Sequence, residues 1–306
     1  MRTVLVTGGA GFLGSHLVDR LLDSGAAVRV FDNLSTGSLQ NLEQAAQRHS
    51  RTLGSSGDTF HGSRLEVIIG DIRDRGLLRK ALRSVKYVFH FAALPSSVVS
   101  VIDPGEIHAV NVGGTLNILH GALTEGVWRV VLASSASVYG TPEALPVSER
   151  APVRPTSLFA ASKVAAETYC RTFHARHQLD TVTLRYFSVY GPRQRASADG
   201  AFIPSLVDSL RQRRPVDQDD RGAEDFTYVD DAVAAALAAA RAPRAAGRII
   251  NVGSGQMVTI GEVLNILTSL LRTRGVPGSS RNPEAQLNQI CAQTTLAAEL
   301  LDFAPR

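Results

Sequence analysis

The chain has little of what would mark several functions at once. Only two of its 306 residues are cysteine, Cys170 and Cys291, which form neither a disulfide framework nor a thiolate metal site. No metal is expected, and free thiols fit a reducing cytoplasm. No apolar run approaches the roughly 18 residues a membrane helix needs. The first residues run straight into a strand pattern, with no charged segment and cleavable apolar stretch, so no signal peptide is expected. The formal charge of +4 is small for this length and its basic residues are scattered, which argues against nucleic acid as a partner. Lysine is scarce too. Lys80, Lys86 and Lys163 are the only three, so arginine carries nearly all the positive charge. Codon bias is one explanation; a need at position 163 for an amine that arginine cannot imitate is the other.

What is present is an alternation of strand-length apolar runs with longer amphipathic segments, the pattern of a parallel sheet wrapped by helices. Strands are predicted at 3–6, 28–31, 65–69, 87–90, 129–133, 181–185 and 249–252. Helices are predicted near 12–24, 76–83, 106–124, 157–177, 201–213, 229–241 and 260–273. Residues 44–63 read as a polar surface insertion, with Gly54, Gly57 and Gly62 among several serines. After about residue 186 the alternation weakens and Pro192, Pro204 and Pro215 appear. The expected fold is therefore α/β: a Rossmann-type doubly wound parallel sheet with a smaller C-terminal substrate-binding lobe. Residues 1–185, with 225–254 returning, would form the first unit, and 186–224 with 255–306 the second.

Residues 4–14, Val-Leu-Val-Thr-Gly-Gly-Ala-Gly-Phe-Leu-Gly, read as a strand, a glycine-rich turn and the start of a helix. Gly8 permits the tight turn, Gly11 lets a pyrophosphate approach the backbone, and Gly14 lets the helix pack closely on the strand. Phosphates would then meet free amides at the positive end of a helix dipole. Asp32 follows about 20 residues on, at the end of the second strand, where an acid accepts from ribose hydroxyls and repels a 2′-phosphate. That favours NAD over NADP. Asp71 and Ile72 close the third strand, where an acid can meet the adenine amino group. Phe91, Ala92 and Ala93 end the fourth with small residues that leave room for a dinucleotide. His90 is read as a packed histidine, and His49 and His61 as solvated loop residues.

These stretches, followed by Asn111-Val112-Gly113-Gly114-Thr115, Ser134–Gly140, Phe159–Lys163, Arg185–Arg193 and Asp225–Asp231, together resemble the extended short-chain dehydrogenases of the nucleotide-sugar epimerase/dehydratase branch. The resemblance spans nearly the whole chain, and it is more specific for family than for substrate. It implies a tightly held NAD that oxidises a sugar ring carbon, usually C4, and a dimer paired through the helices beginning near 106 and 157. The cofactor residues it implies are Gly8, Gly11, Phe12, Leu13, Gly14, Asp32, Asn33, Ser35, Thr36, Gly37, Asp71, Ile72, Phe91, Ala92, Ala93, Asn111, Ser134, Lys163 and Tyr186. For the substrate it implies Ser96, Ser135, Ser188, Arg193, Arg195 and Arg281.

The family's acid/base is the tyrosine of a Tyr-x-x-x-Lys motif assisted by a serine. Carried over, Ser135 is the serine, Lys163 the lysine, and Phe159 stands where the tyrosine belongs. Three explanations compete: a Tyr→Phe change made to trap substrate, a natural loss that leaves a binding protein, or another proton carrier such as Ser135 or a water. Nearly everything around the missing hydroxyl is retained, which slightly favours the first. The substrate half also departs from the family. Ser188 replaces a phosphate-binding asparagine, and Glu224 an arginine that would neutralise a diphosphate. Arg193, Arg195, Arg221 and Arg281 are the candidate compensating cations. Ala136-Ser137 stands where dehydratases carry Asp-Glu, which argues against dehydration. The leading reading is a 4-epimerase of a UDP-hexose or UDP-hexuronate, attenuated or trapped by Phe159. The alternatives are a catalytically silent NAD- and sugar-nucleotide-binding protein, and a redox enzyme acting on a ligand without diphosphate.

Overall fold

A computed structural model describes residues 3–49, 54–56, 59–61, 64–95, 103–196, 201–216, 222–272, 276–277 and 289–306. The strands β1 (Thr3–Thr7), β2 (Ala27–Asp32), β3 (Gly54–Ser56), β4 (Thr59–His61), β5 (Leu65–Ile69), β6 (Val85–His90), β7 (Arg129–Ser135) and β8 (Asp180–Tyr186) come first in the chain. They are followed by β9 (Ser188–Tyr190), β10 (Pro215–Val216), β11 (Ala223–Glu224), β12 (Phe226–Tyr228), β13 (Ile249–Val252), β14 (Val258–Thr259) and β15 (Val276–Pro277). The main sheet runs β13-β8-β7-β6-β1-β2-β5-β4-β3. The seven strands from β13 to β5 are mutually parallel and contain all seven predicted ones.

Because the parallel strands are covered on both faces, their apolar runs are nearly continuous rather than alternating. One face packs the helices Phe12–Asp23 and Val229–Arg241, the other Arg75–Leu82, Thr115–Thr124 and Leu158–His177. In Val229–Arg241 the alanines Ala232, Ala235, Ala236 and Ala239 are fully buried, so the small side chains bring this helix close to the sheet. The strand order reverses at β1, with β2 on one side and β6 on the other, so a crevice opens where their C-terminal ends diverge.

Three expectations about organisation change. The 44–63 segment is more than a polar insertion: Glu43–His49 is helical, and β4 pairs antiparallel with β5, matching Phe60 with Val67. Its serines and glycines carry no strand signal, but the free edge of β5 supplies backbone partners. The 106–124 helix is divided at the π-type turn Ala109–Gly114, which contains Asn111. The helix Thr295–Leu301 is not among the predicted helices, and it packs on Val229–Arg241 and β13 with Ala297, Leu301 and Phe303 in the main core. A separate apolar cluster of Leu206, Leu210, Val216, Val263 and Leu264 joins the helices Phe202–Arg211 and Ile260–Leu271. Among the described residues no helix is long and apolar enough to cross a membrane.

Candidate active site

A cleft of about 460 Å³ lies along the C-terminal ends of the parallel strands. It is lined at one end by the glycine turn, Asp32, Asn33 and Asp71, and at the other by Ser134, Ser135, Phe159 and Lys163. The turn is held by backbone bonds from Gly8 N–H to Phe31 O and from Gly11 N–H to Gly8 O, 3.0 and 3.1 Å. Gly8 has φ +70°, and a Cβ there would lie 2.6 Å from the amide nitrogen of Ala92. A Cβ on Gly14 would lie 2.1 Å from Gly8 O. Both glycines are therefore required by close backbone approach. No side chain caps the first helix and no acid occupies its first turn, so its N-terminal amides face the cleft uncompensated.

Asp32 ends β2 under this turn and accepts from the backbone N–H groups of Ala10 (2.9 Å) and Leu34 (2.8 Å). Burial raises its pKa, and the two N–H bonds pull it back. Asn33 donates to Asp71 at 3.2 Å, which links two of the expected cofactor residues. Arg73 grips Asp71 through Nε and Nη2 and keeps its carboxyl below the usual carboxylate range. Gly37 has a different job. It does not line the cleft, and a Cβ there would meet the carbonyl carbon of Ala10 at 2.9 Å, so it lets the following loop close over the turn.

Lys163 is buried, and its Nζ donates to Ala133 O at 2.9 Å. The Phe159 ring, one helical turn earlier, has its centroid 5.5 Å from the ammonium. Burial lowers the lysine's pKa to about 8, against the field of Glu167. Glu167 is itself engaged: it accepts from Ser134 Oγ at 2.5 Å and from Arg185 Nε and Nη2 at 2.9 and 2.6 Å. Tyr186 turns its hydroxyl to Ala232 O at 3.4 Å, and burial holds it protonated. Its ring meets Phe91 edge to face at 6.3 Å.

Asn111 also acts beside the cleft rather than in it. Its amide exchanges bonds with both backbone groups of Leu94 and donates to Ser162 Oγ, fixing the segment that follows β6 to the helix that carries Lys163. His90 sits behind this arrangement, fully packed. Thr115 donates its hydroxyl to Asn111 O, so His90 Nε2–H must donate to Thr115 Oγ1 while Nδ1 accepts from Thr7 Oγ1. Burial holds the imidazole neutral, with a pKa lowered to about 3.

That pairing has a pH signature. Below about pH 6.5 the unfolded chain protonates this histidine while the folded chain does not, so stability falls as pH drops. Urea unfolding of the protein beside His90→Gln should show the wild-type advantage shrinking by about 2 kcal/mol between pH 7 and pH 5. An unchanged difference would mean that the folded chain also takes up the proton.

The substrate-side residues are less concentrated. Ser188 Oγ donates to Glu224, so the two departures from the family pattern pair with each other across β9 and β11. Arg193 faces the first helix, donating to Ser15 Oγ at 3.2 Å and to Asp19 at 2.7 Å. Its guanidinium is thus held by a carboxylate outside the cleft lining, while Arg195 is exposed. Ser96, Arg221 and Arg281 lie outside the described residues. The polar side chains that line the cleft but were not expected in the site are Ser137, Ser157 and Gln194. Ser157 carries a local signal as the N-cap of Leu158–His177, accepting from Ala160 N–H. Gln194 has none: its Nε2 donates to Val189 O, and its buried Oε1 has no partner among the described residues.

The described cleft suits a dinucleotide, with an uncapped helix start for phosphates, an acid for ribose hydroxyls, and an amine and hydroxyl at the far end. Comparison with known proteins agrees. Residues 4–253 match the model of the NAD dependent epimerase/dehydratase family. The UDP-glucose 4-epimerase of Mycolicibacterium smegmatis is 35% identical, with 100% of this chain and 94% of that protein covered. The Thermus thermophilus UDP-glucose 4-epimerase, solved in complex with NAD, superposes with a TM-score of 0.85 at 31% identity over 99% of this chain and 94% of that one. The Thermotoga maritima UDP-glucose 4-epimerase, solved with UDP-glucose, gives 0.87 at 27% identity with the same coverages. Sequence, sheet order and cleft agree that this chain belongs to the NAD dependent epimerase/dehydratase family.

Proposed function

We propose that the chain binds NAD and a UDP-hexose or UDP-hexuronate and is built for 4-epimerisation, with Phe159 removing the side chain that would carry the proton. The carrying observation is one cleft that joins the Gly8–Gly14 turn and Asp32 to Ser135, Phe159 and Lys163. The amides of the first helix would hold the pyrophosphate, Asp32 the adenosine ribose, and Lys163 the nicotinamide ribose. NAD bound there supplies a reversible hydride acceptor for a sugar ring carbon. Ser135 and Lys163 orient the sugar oxygen, while Ala92 and Ala93 leave the ring room.

The cluster around Leu206 and Val263 supports a substrate lobe formed by parts of 186–224 and 255–290, with 295–303 assigned to the large unit instead. Exposed Leu158 and Tyr169, together with Leu123, support a homodimer paired through the 104–124 and 158–177 helices. Two buried, unpaired cysteines support a cytoplasmic setting.

A second reading, a family member acting on a ligand without diphosphate, is favoured by Glu224, which occupies the Ser188 hydroxyl with a carboxylate. Titration separates the two. The expected result is NAD released from the purified protein on denaturation, seen by absorbance, and saturable UDP binding by calorimetry. NAD without UDP binding would favour the second reading; release of no NAD and failure to bind it would overturn both.

A further inference from the structure

The hydroxyls at the end of β7 differ sharply in what they have left to offer. Ser134 spends its proton on Glu167. Ser157 accepts as a helix cap, and Phe159 brings only carbon. Ser135 caps the short turn Ala136–Tyr139: its Oγ accepts from the Ser137 backbone N–H at 3.2 Å and lies 3.0 Å from the Ser137 hydroxyl, which can donate to it. A serine hydroxyl has two acceptor lone pairs and one proton. The backbone N–H fills one lone pair of Ser135, and when the Ser137 O–H fills the other, the remaining capacity of Ser135 is its own O–H, free for a ligand oxygen. Both serines line the cleft beside Phe159 and Lys163.

We propose that Ser137 is a positioning residue that fills the acceptor side of Ser135 and so commits the Ser135 O–H to an oxygen of the bound sugar. Accepting two bonds also polarises that hydroxyl and strengthens it as a donor. The inference rests on the nucleotide-sugar reading above and deepens it: in a chain whose residue 159 has no hydroxyl, Ser135 and Lys163 are the donors for the ligand oxygen. Ser137 is exposed, so its side chain can be changed without disturbing a core.

The test compares affinities for UDP and UDP-glucose in the NAD-loaded protein, since only UDP-glucose carries the sugar. Ser137→Ala should leave UDP binding and the melting temperature unchanged and reduce the preference for UDP-glucose over UDP about two- to tenfold. Ser137→Thr should restore the preference. Ser135→Ala should lose the same increment, and adding Ser137→Ala to it should cost nothing more, because one hydrogen bond is being removed by two routes. A wild-type preference in Ser137→Ala would overturn the proposal, as would fully additive losses, which would mean that Ser137 touches the sugar by itself. A wild-type protein that binds UDP without preferring UDP-glucose overturns the proposal alone. Failure to bind UDP overturns the nucleotide-sugar reading, and this proposal with it.

Discussion

Phe159→Tyr should raise 4-epimerisation by about 10²–10⁴-fold, the usual contribution of a placed general acid–base. The change adds one oxygen at the para position of a half-exposed ring that already lines the cleft, so no core is repacked. Lys163 lies over that ring, 5.5 Å from its centroid, and a cation beside a phenol favours the phenolate and brings its pKa towards working pH. The hydroxyl would enter a site whose other donors, Ser135 and Lys163, are already oriented by Ser137 and Ala133 O. The measurement is product formation from UDP-glucose, UDP-glucuronate and UDP-N-acetylglucosamine, with the protein and its Phe159→Tyr variant assayed side by side. NAD content and melting temperature should stay as they are. If the tyrosine variant turned over none of the three, the epimerase reading would fall and the silent-binder reading would gain.

Glu167→Leu should cost about 3–5 kcal/mol of folding stability, because it leaves the Arg185 guanidinium buried without its carboxylate. The pair is bidentate, and both side chains are almost wholly buried, at 3% and 4% exposure. The same carboxylate holds Ser134 Oγ, so its removal also orphans a buried hydroxyl at the cleft wall. Arg185 continues the chain of contacts: its guanidinium lies 4.7 Å from the Tyr139 ring centroid, and Tyr139 donates to Asn251 at 2.6 Å. Chemical denaturation reads the loss directly. The double variant Glu167→Leu/Arg185→Met should recover much of it, since replacing a buried ion pair by apolar side chains removes both desolvation costs. A double variant as unstable as Glu167→Leu would show that packing around Tyr139, rather than the unpaired charge, sets the cost.

Much of the cofactor end was legible because its requirements are local. Gly8 and Gly14 sit where no Cβ fits, Asp32 ends the strand beside them, and Ala92 and Ala93 leave space; each follows from residue type and strand register. The strand and helix periods that revealed the sheet are local in the same sense. The sugar end was half legible. Ser135 and Lys163 line one cleft wall with Phe159, as the motif spacing implies, but no pattern in the chain announces Gln194 or the acceptor role of Ser135 towards Ser137.

The sequence alone determined the parallel sheet, the dinucleotide turn, and the pairing of a lysine with a phenylalanine one helical turn away. Tertiary structure decided which polar side chains were already spent. It tied Arg193 to Asp19, paired Ser188 with Glu224, used Ser134 to hold Glu167, and set the Ser135 and Ser137 hydroxyls against each other. Backbone propensity and hydrophobic period act between neighbours and can be read along the chain. The partner of a hydrogen bond lies here as far as 178 residues away, in Arg193 and Ser15, and only the packed fold brings the two together.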